Sequence, residues 1–291
     1  MKSCVFYGNC QVIYNVHDML NSIPEFKKNY RSIRYVNHDR DQITELSNIR
    51  IEDLINCDLF IYQPLGDNHG VFATENVKKY LKKECVTISF PYIYNSSFYS
   101  VYWENATKRW TIGTLVNCGW RHIMSLILNG VDINTIINMY NSKEINFYFK
   151  DRLDNCMNSL VSKESNCDIK VSEFILSNYN DKRLFITQNH ISSYFTTWIC
   201  NKILKQLSFN PIPENNVQDL TVEEMCVFDQ YTNEYYKFNY DTTNLSNDES
   251  TIAKIKDFYY FFINEKNNYK KNNLSLYNII DDPEKFIDLP Y

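Results

Sequence analysis

The sequence predicts an α/β protein in which helices flank a parallel sheet. Through the first hundred residues, short apolar runs of strand length alternate with segments whose apolar residues recur at helical spacing. Strands that are separated by helices form parallel sheets with right-handed crossovers. With 291 residues, of which 44% are hydrophobic, the chain is long and apolar enough to bury a full core.

The first predicted strand covers residues 4–7 and ends at Gly8. Cys10 then begins a helix, because apolar residues recur every three or four positions from Val12 to Ile23. The other predicted strands lie at 32–36, 58–62, 85–90 and 182–187, and the other predicted helices at 39–54, 74–83, 122–128, 133–139 and 191–207.

Residues 1–213 are predicted to form one α/β catalytic domain, with a helical insertion at about 101–180 that covers the sheet. Pro211 and Pro213 end the helix that precedes them. Residues 214–291 are predicted to be a mainly helical extension that packs on this domain. The aromatic run 257–262 within it indicates either a helix docked on the core or a surface for an oligomer or an acceptor.

The composition excludes several classes of protein. The net charge is -5 with dispersed basic residues, which disfavours a nucleic-acid partner. Nine cysteines without regular spacing indicate reduced thiols, and neither a disulfide framework nor a metal site is expected. The sequence shows neither a signal pattern nor an apolar run of about 18 residues, so a soluble, cytoplasmic protein without a membrane span is expected.

Three polar segments each follow a predicted strand, and the carboxyl ends of parallel strands meet at one edge of a sheet. These segments contain Cys10, the pair Asp67 and His69 between two glycines, and His190. A thiol at a helix N-terminus beside a histidine suits a nucleophile with its base. Each residue also has a structural interpretation: Cys10 as a packing thiol, His190 as a helix cap, and Asp67 with His69 as a polar turn.

At these positions the chain resembles the WcbI-type polysaccharide-biosynthesis proteins, over about residues 1–210. The motifs that carry the resemblance are Tyr7-Gly8-Asn9-Cys10-Gln11, Gln63-Pro64 followed by Asp67, and Thr187-Gln188-Asn189-His190. The resemblance implies a Rossmann-like fold related to SGNH/GDSL hydrolases, affinity for coenzyme A, and acetyl transfer in capsule synthesis. The chain departs from the family pattern in two places. Ile191 stands where the family often has proline, and Thr187 stands where SGNH hydrolases have the aspartate of their triad.

The resemblance also implies roles for individual residues, with acetyl-CoA as a substrate and no metal. Cys10 and His190 are the expected catalytic residues. The residues expected around the acyl group and its oxyanion are Gly8, Asn9 and Gln11, and those expected to bind coenzyme A or substrate are Gln63, Asp67, His69 and Asn189. Two routes stay open: Cys10 carries the acetyl group, or His190 activates a sugar hydroxyl that attacks directly.

The leading functional hypothesis is a CoA-dependent O-acetyltransferase that acts on a capsular or other surface polysaccharide, or on its sugar precursor. The first alternative is an SGNH-like esterase or deacetylase, in which water replaces the sugar acceptor. The second is a non-catalytic glycan-binding or scaffold protein, which the 15% aromatic content with 23 tyrosines suggests. The expected partner is a sugar or polysaccharide acceptor, and homo-oligomerisation is left open.

Overall fold

The computed structural model describes residues 1–37, 49–101, 121–213, 228–242 and 247–272. The chain divides into two compact units. Unit 1 comprises Met1–Tyr94, Asn158–Tyr179 and Arg183–Glu223, and unit 2 comprises Asn95–Met157, Asn180–Lys182 and Glu224–Tyr291. Most of the predicted helix at 39–54 lies outside the described residues.

The sheet of unit 1 has four parallel strands. They are β1 (Lys2–Gly8), β2 (Tyr30–Val36), β3 (Leu59–Tyr62) and β4 (Val86–Ser89), in the order β2-β1-β3-β4. The predicted α/β class and the first four predicted strands are therefore confirmed. Because β1 pairs with β2 on one side and β3 on the other, the chain changes direction across the sheet between β1 and β3, where ligands bind in open sheets of this kind.

The helices were predicted from apolar periodicity, and most lie close to the expected positions. In chain order they are α1 (His17–Ser22), α2 (Pro24–Asn29), α3 (Ile51–Ile55), α4 (Thr74–Lys78), α5 (Arg121–Leu128), α6 (Ile133–Asn141), α7 (Phe149–Glu164), α8 (Ser172–Asn178), α9 (Ser193–Gln206), α10 (Gln230–Tyr236) and α11 (Asp248–Asn272). A π-helical turn, Gln11–Val16, connects β1 to α1, and a 3-10 helix, Asp67–Phe72, follows β3. Helix α9 packs against the π-helical turn and α1.

The predicted strand at 182–187 is wrong, because this segment does not join the sheet. Its one ladder contact is an isolated antiparallel bridge between Phe185 and Ile191. The backbone N–H groups of Ile186 and Thr187 both donate to the carbonyl of His190, at 2.8 and 3.3 Å, and so close a tight turn. The apolar side chains at 184–186 are buried by packing instead of by strand pairing, which explains the strand-like pattern.

Unit 2 is organised around a buried carboxylate. Asp229 accepts hydrogen bonds from the hydroxyls of Ser100 and Tyr140, and it caps α10 through the N–H of Thr232 at 2.9 Å. Burial raises the pKa of Asp229. The carboxylate therefore ties three separate segments of this unit together.

The aromatic run 257–262 lies within α11 and belongs to unit 2. Ile255, Phe258 and Phe262 share one buried face, and the helix packs against α6, whereas Tyr260 is exposed. The predicted helix is confirmed, with one face buried within unit 2, and a role of its exposed face in binding an oligomer or an acceptor stays a prediction. None of the helices in the described ranges is both long enough and apolar enough to cross a membrane.

Candidate functional site

The turn after β1 is shaped by Gly8 and Asn9. A Cβ atom at Gly8 would lie 2.4 Å from Val12 Cγ2, so only glycine lets the strand pass so close to the helix that follows. Asn9 Oδ1 accepts the N–H of Gln11 at 2.9 Å, while the Asn9 carbonyl accepts the N–H groups of Val12 and Ile13. This Asx turn begins the π-helix and leaves Cys10, which is half-buried, at its N-cap position.

Two glutamine side chains at the strand ends bond to each other beneath this turn. Gln63 Nε2 donates to Gln11 Oε1 at 2.8 Å, and Gln63 Oε1 accepts the N–H of Asn9 at 3.2 Å. Gln11 Nε2 donates to the carbonyls of Ile93 and Asn189, at 2.6 and 2.7 Å. Gln11 is 0% and Gln63 2% exposed, so both amides hold the site together from inside the protein.

The structure brings Cys10 and His190 into contact across 180 residues of sequence. Cys10 Sγ lies 3.8 Å from His190 Nε2. The hydrogen bond from Gln11 Nε2 to the carbonyl of Asn189 fixes the residue before His190. The position of the imidazole therefore depends on the buried Gln11 amide. The predicted nucleophile and base are therefore adjacent, although His190 does not follow a strand of the sheet.

Thr187 orients the imidazole from the other side. Its Oγ1 lies 2.7 Å from His190 Nδ1, accepts the backbone N–H of His190 at 3.1 Å, and donates to Asn189 Oδ1 at 3.1 Å. A hydroxyl has one proton, so in the tautomer in which Thr187 gives it to Asn189, Nδ1 is the donor to Thr187. Nε2 then presents its lone pair to the Cys10 thiol, which is the arrangement a general base requires.

Two of the backbone donors expected for an oxyanion are used inside the turn. The N–H of Asn9 donates to Gln63 and the N–H of Gln11 donates to Asn9 Oδ1. The side-chain amide Asn9 Nδ2, by contrast, has no acceptor among the described residues, and Asn9 is half-buried beside Cys10. Of the predicted oxyanion groups, the Asn9 side-chain amide is therefore one that can donate to a ligand.

The Asp67–Phe72 helix is held to β1 by a contact outside the cluster that Cys10, His190, Gln11 and Gln63 form. The hydroxyl of Tyr7 donates to the Phe72 carbonyl, and burial raises the pKa of Tyr7. Asp67 is exposed and His69 half-buried on this helix, and the hydrogen bonds described above do not include them. Their predicted role in binding coenzyme A or substrate therefore stays a prediction. Gln63 and Asn189, which share that prediction, are part of the cluster through protein contacts.

Thr187 was predicted only as part of the motif before His190 and as a departure from the hydrolase triad, and no role was predicted for the carbonyl of Ile93. The single sequence signal for the role of Thr187 is a hydroxyl three residues before a histidine. Nothing in the sequence indicates the role of the Ile93 carbonyl. Within the described ranges, no cluster of three or more His, Cys, Asp or Glu residues is placed to hold a metal ion.

The part of the chain that contains Cys10 and His190 matches a known protein family. Residues 3–211 match the family described as polysaccharide biosynthesis enzyme WcbI. A solved structure is similar with a TM-score of 0.60 and 20% sequence identity, over 75% of this chain and 74% of that chain. It is described as WcbI, a novel polysaccharide biosynthesis enzyme, as native protein without a disulfide bond between coenzyme A and a cysteine. None of the curated proteins matches this chain.

Proposed function

Because the chain belongs to the WcbI family of polysaccharide biosynthesis enzymes, we propose that it transfers an acetyl group from acetyl-CoA to a hydroxyl of a surface polysaccharide or of its sugar precursor. The observation that carries the proposal is the contact of 3.8 Å between Cys10 Sγ and His190 Nε2, with Nδ1 held by Thr187. The mention of coenzyme A and a cysteine in the description of the similar structure supports coenzyme A as the acyl carrier.

In the first half-reaction, His190 Nε2 takes the proton of the Cys10 thiol, and the sulfur attacks the thioester carbonyl carbon. Asn9 Nδ2 is the donor placed to stabilise the oxyanion; one such donor is worth roughly 3 kcal/mol. The carbon–sulfur bond to coenzyme A then breaks, and the imidazolium returns its proton to the departing thiolate. The acetyl group is left on Cys10.

In the second half-reaction, His190 takes the proton of the sugar hydroxyl, whose oxygen attacks the acetyl carbon on Cys10. The Cys10 sulfur leaves and recovers the proton from His190. Direct attack of the hydroxyl on acetyl-CoA uses the same base without the covalent step. The orientation of Nε2 towards Cys10 favours the covalent route.

Release of coenzyme A separates the two routes. With acetyl-CoA alone, the covalent route releases one equivalent of coenzyme A in a burst and leaves an acetyl adduct that intact mass spectrometry detects. Cys10→Ser should abolish both signals, while Cys85→Ser, which changes another half-buried thiol, should retain them. Turnover that occurs only with acceptor, and without a burst, would assign the direct route.

The proposal as a whole is tested by binding and by transfer. Millimolar coenzyme A should raise the melting temperature, because a ligand at 100 times its Kd stabilises the folded state by about 2.7 kcal/mol. Acetyl transfer to a panel of purified surface polysaccharides and nucleotide sugars should fall by about 10²–10⁴ in His190→Gln, as expected for the loss of a general base. The proposal fails if coenzyme A has no effect on melting and no member of the panel becomes acetylated.

A further inference from the structure

Unit 1 contains a cavity of about 560 Å³ whose wall includes His190. The cavity lies where the end of α1 and the start of α2 face the segment 186–196 and the segment 210–213. Its wall is mostly apolar carbon, and its aliphatic lining residues include Met19, Ile23, Ile186, Ile191 and Ile212. The volume is within the range of ligand-binding cavities, about 300–1,000 Å³.

The charges around the cavity disfavour a phosphorylated ligand. Among the described residues, the lining contains no lysine or arginine, whereas Asp18 and Glu25 contribute carboxylates. Arg34 pairs with Asp18 at 3.5 Å but does not belong to the wall. Phosphate groups are normally met by basic side chains, and the two carboxylates would repel them, so the nucleotide end of coenzyme A does not suit this cavity. An uncharged apolar group does.

We propose that this cavity holds the acyl chain of the thioester, and that the protein accepts chains longer than acetyl. The inference rests on the proposed function, since it requires an acyl-CoA at Cys10. His190 belongs both to the cavity wall and to the contact with Cys10 Sγ, so its imidazole connects the cavity with the thiol that would carry the acyl group. An acetyl group has one methyl beyond its carbonyl and leaves most of this apolar space unfilled.

The length of the chain should therefore control affinity. The probes are the thioethers S-ethyl-, S-butyl- and S-hexyl-CoA, which cannot be cleaved, with binding to the full chain measured by isothermal titration calorimetry. Each methylene that enters the cavity should lower the Kd about fourfold, because that factor corresponds to the transfer free energy of one buried CH₂. Coenzyme A itself serves as the reference for the part of the ligand outside the cavity.

A filling variant tests the location. Ile23→Trp places a larger side chain in the cavity wall, at a half-buried position. It should remove the dependence on chain length while the affinity for coenzyme A changes less than about threefold. Ile55→Trp is the matched control, because Ile55 is exposed on α3 and is not part of the wall; it should retain the wild-type dependence.

Two results would overturn the inference and leave the proposed function intact. One is equal affinity for all three thioethers while coenzyme A binds. The other is an equal weakening of all ligands, coenzyme A included, in Ile23→Trp, as expected if the pantetheine arm occupies the cavity. Failure of coenzyme A to bind at all is a different result: it refutes the proposed function, and this inference with it.

Discussion

Gly8→Ala is expected to displace the turn that carries Cys10. The new Cβ atom would lie 2.4 Å from Val12 Cγ2 and 2.7 Å from Val12 Cβ. Val12 is fully buried, so its side chain cannot turn aside. The backbone angle is not the constraint, since Gly8 is absent from the glycines with positive φ among the described residues. Restoring ordinary contact requires a shift of about 1 Å at the start of the helix.

The cost of this shift follows from two contacts. Inserting a methyl group into a packed interior typically costs about 1–3 kcal/mol. The same Cβ would lie 3.1 Å from Gln63 Oε1, the acceptor for the N–H of Asn9, and the loss of that hydrogen bond adds about 1 kcal/mol. At roughly 2–4 °C for each kcal/mol, the melting temperature should fall by about 4–16 °C.

Thermal unfolding measures the effect, and Gly66→Ala is the matched control. A Cβ at Gly66 would meet only Asn68 Oδ1, at 3.1 Å, which is the end of a flexible side chain. Its melting temperature should stay within about 2 °C of the wild type. The double variant Gly8→Ala/Val12→Ala should be more stable than the sum of the single effects predicts, because it removes Cγ2. Additive effects, or a Gly8→Ala variant as stable as the control, would refute this account of the turn.

Three further predictions concern the site and the sheet. Thr187→Val should lower kcat at least tenfold with little change in the KM for acetyl-CoA in steady-state assays, while Thr187→Ser stays near wild type, because only the hydroxyl orients His190. Gln11→Leu leaves two buried carbonyls without their donor and should cost about 3 kcal/mol or more in denaturant unfolding. A hydrogen bond from Lys82 lowers the pKa of Asp58, so its stabilisation is present above the pKa of the unfolded chain and is lost as the pH falls towards the folded pKa. The difference in melting temperature between wild type and Asp58→Asn should therefore narrow from about pH 6 to about pH 3.

The sheet was predictable because its strands and helices differ in the period of their apolar residues. The strand 4–7 and the helix after Cys10 could be read in this way, and the order β2-β1-β3-β4 follows the rules for crossover connections. The segment 182–187 was wrongly predicted to be a strand because any buried segment shows an apolar run. The sequence does not show whether its backbone pairs with a neighbouring strand. Its N–H groups bond to the His190 carbonyl instead.

The contact between Cys10 and His190 was predicted, but its structural cause differs from the one expected. Strand ends were expected to bring both residues to one edge, but His190 reaches Cys10 from a turn whose position is set by Gln11. Polar residues that follow strands were interpreted as groups that face a ligand. Two of them, Gln11 and Gln63, instead satisfy each other, since a buried amide needs partners on every side.

The two buried glutamines make the geometry of the site sensitive to substitution. Gln11 Nε2 holds the turn before His190, and Gln63 Oε1 holds the turn before Cys10, while the two amides are joined at 2.8 Å. The spacing of thiol and imidazole is therefore set by one buried pair that belongs to the ends of β1 and β3, the two strands that flank the switch point of the sheet. A substitution at either glutamine should alter the reactivity of Cys10 without touching it. Because the two side chains share a hydrogen bond, their effects on that reactivity should be strongly non-additive.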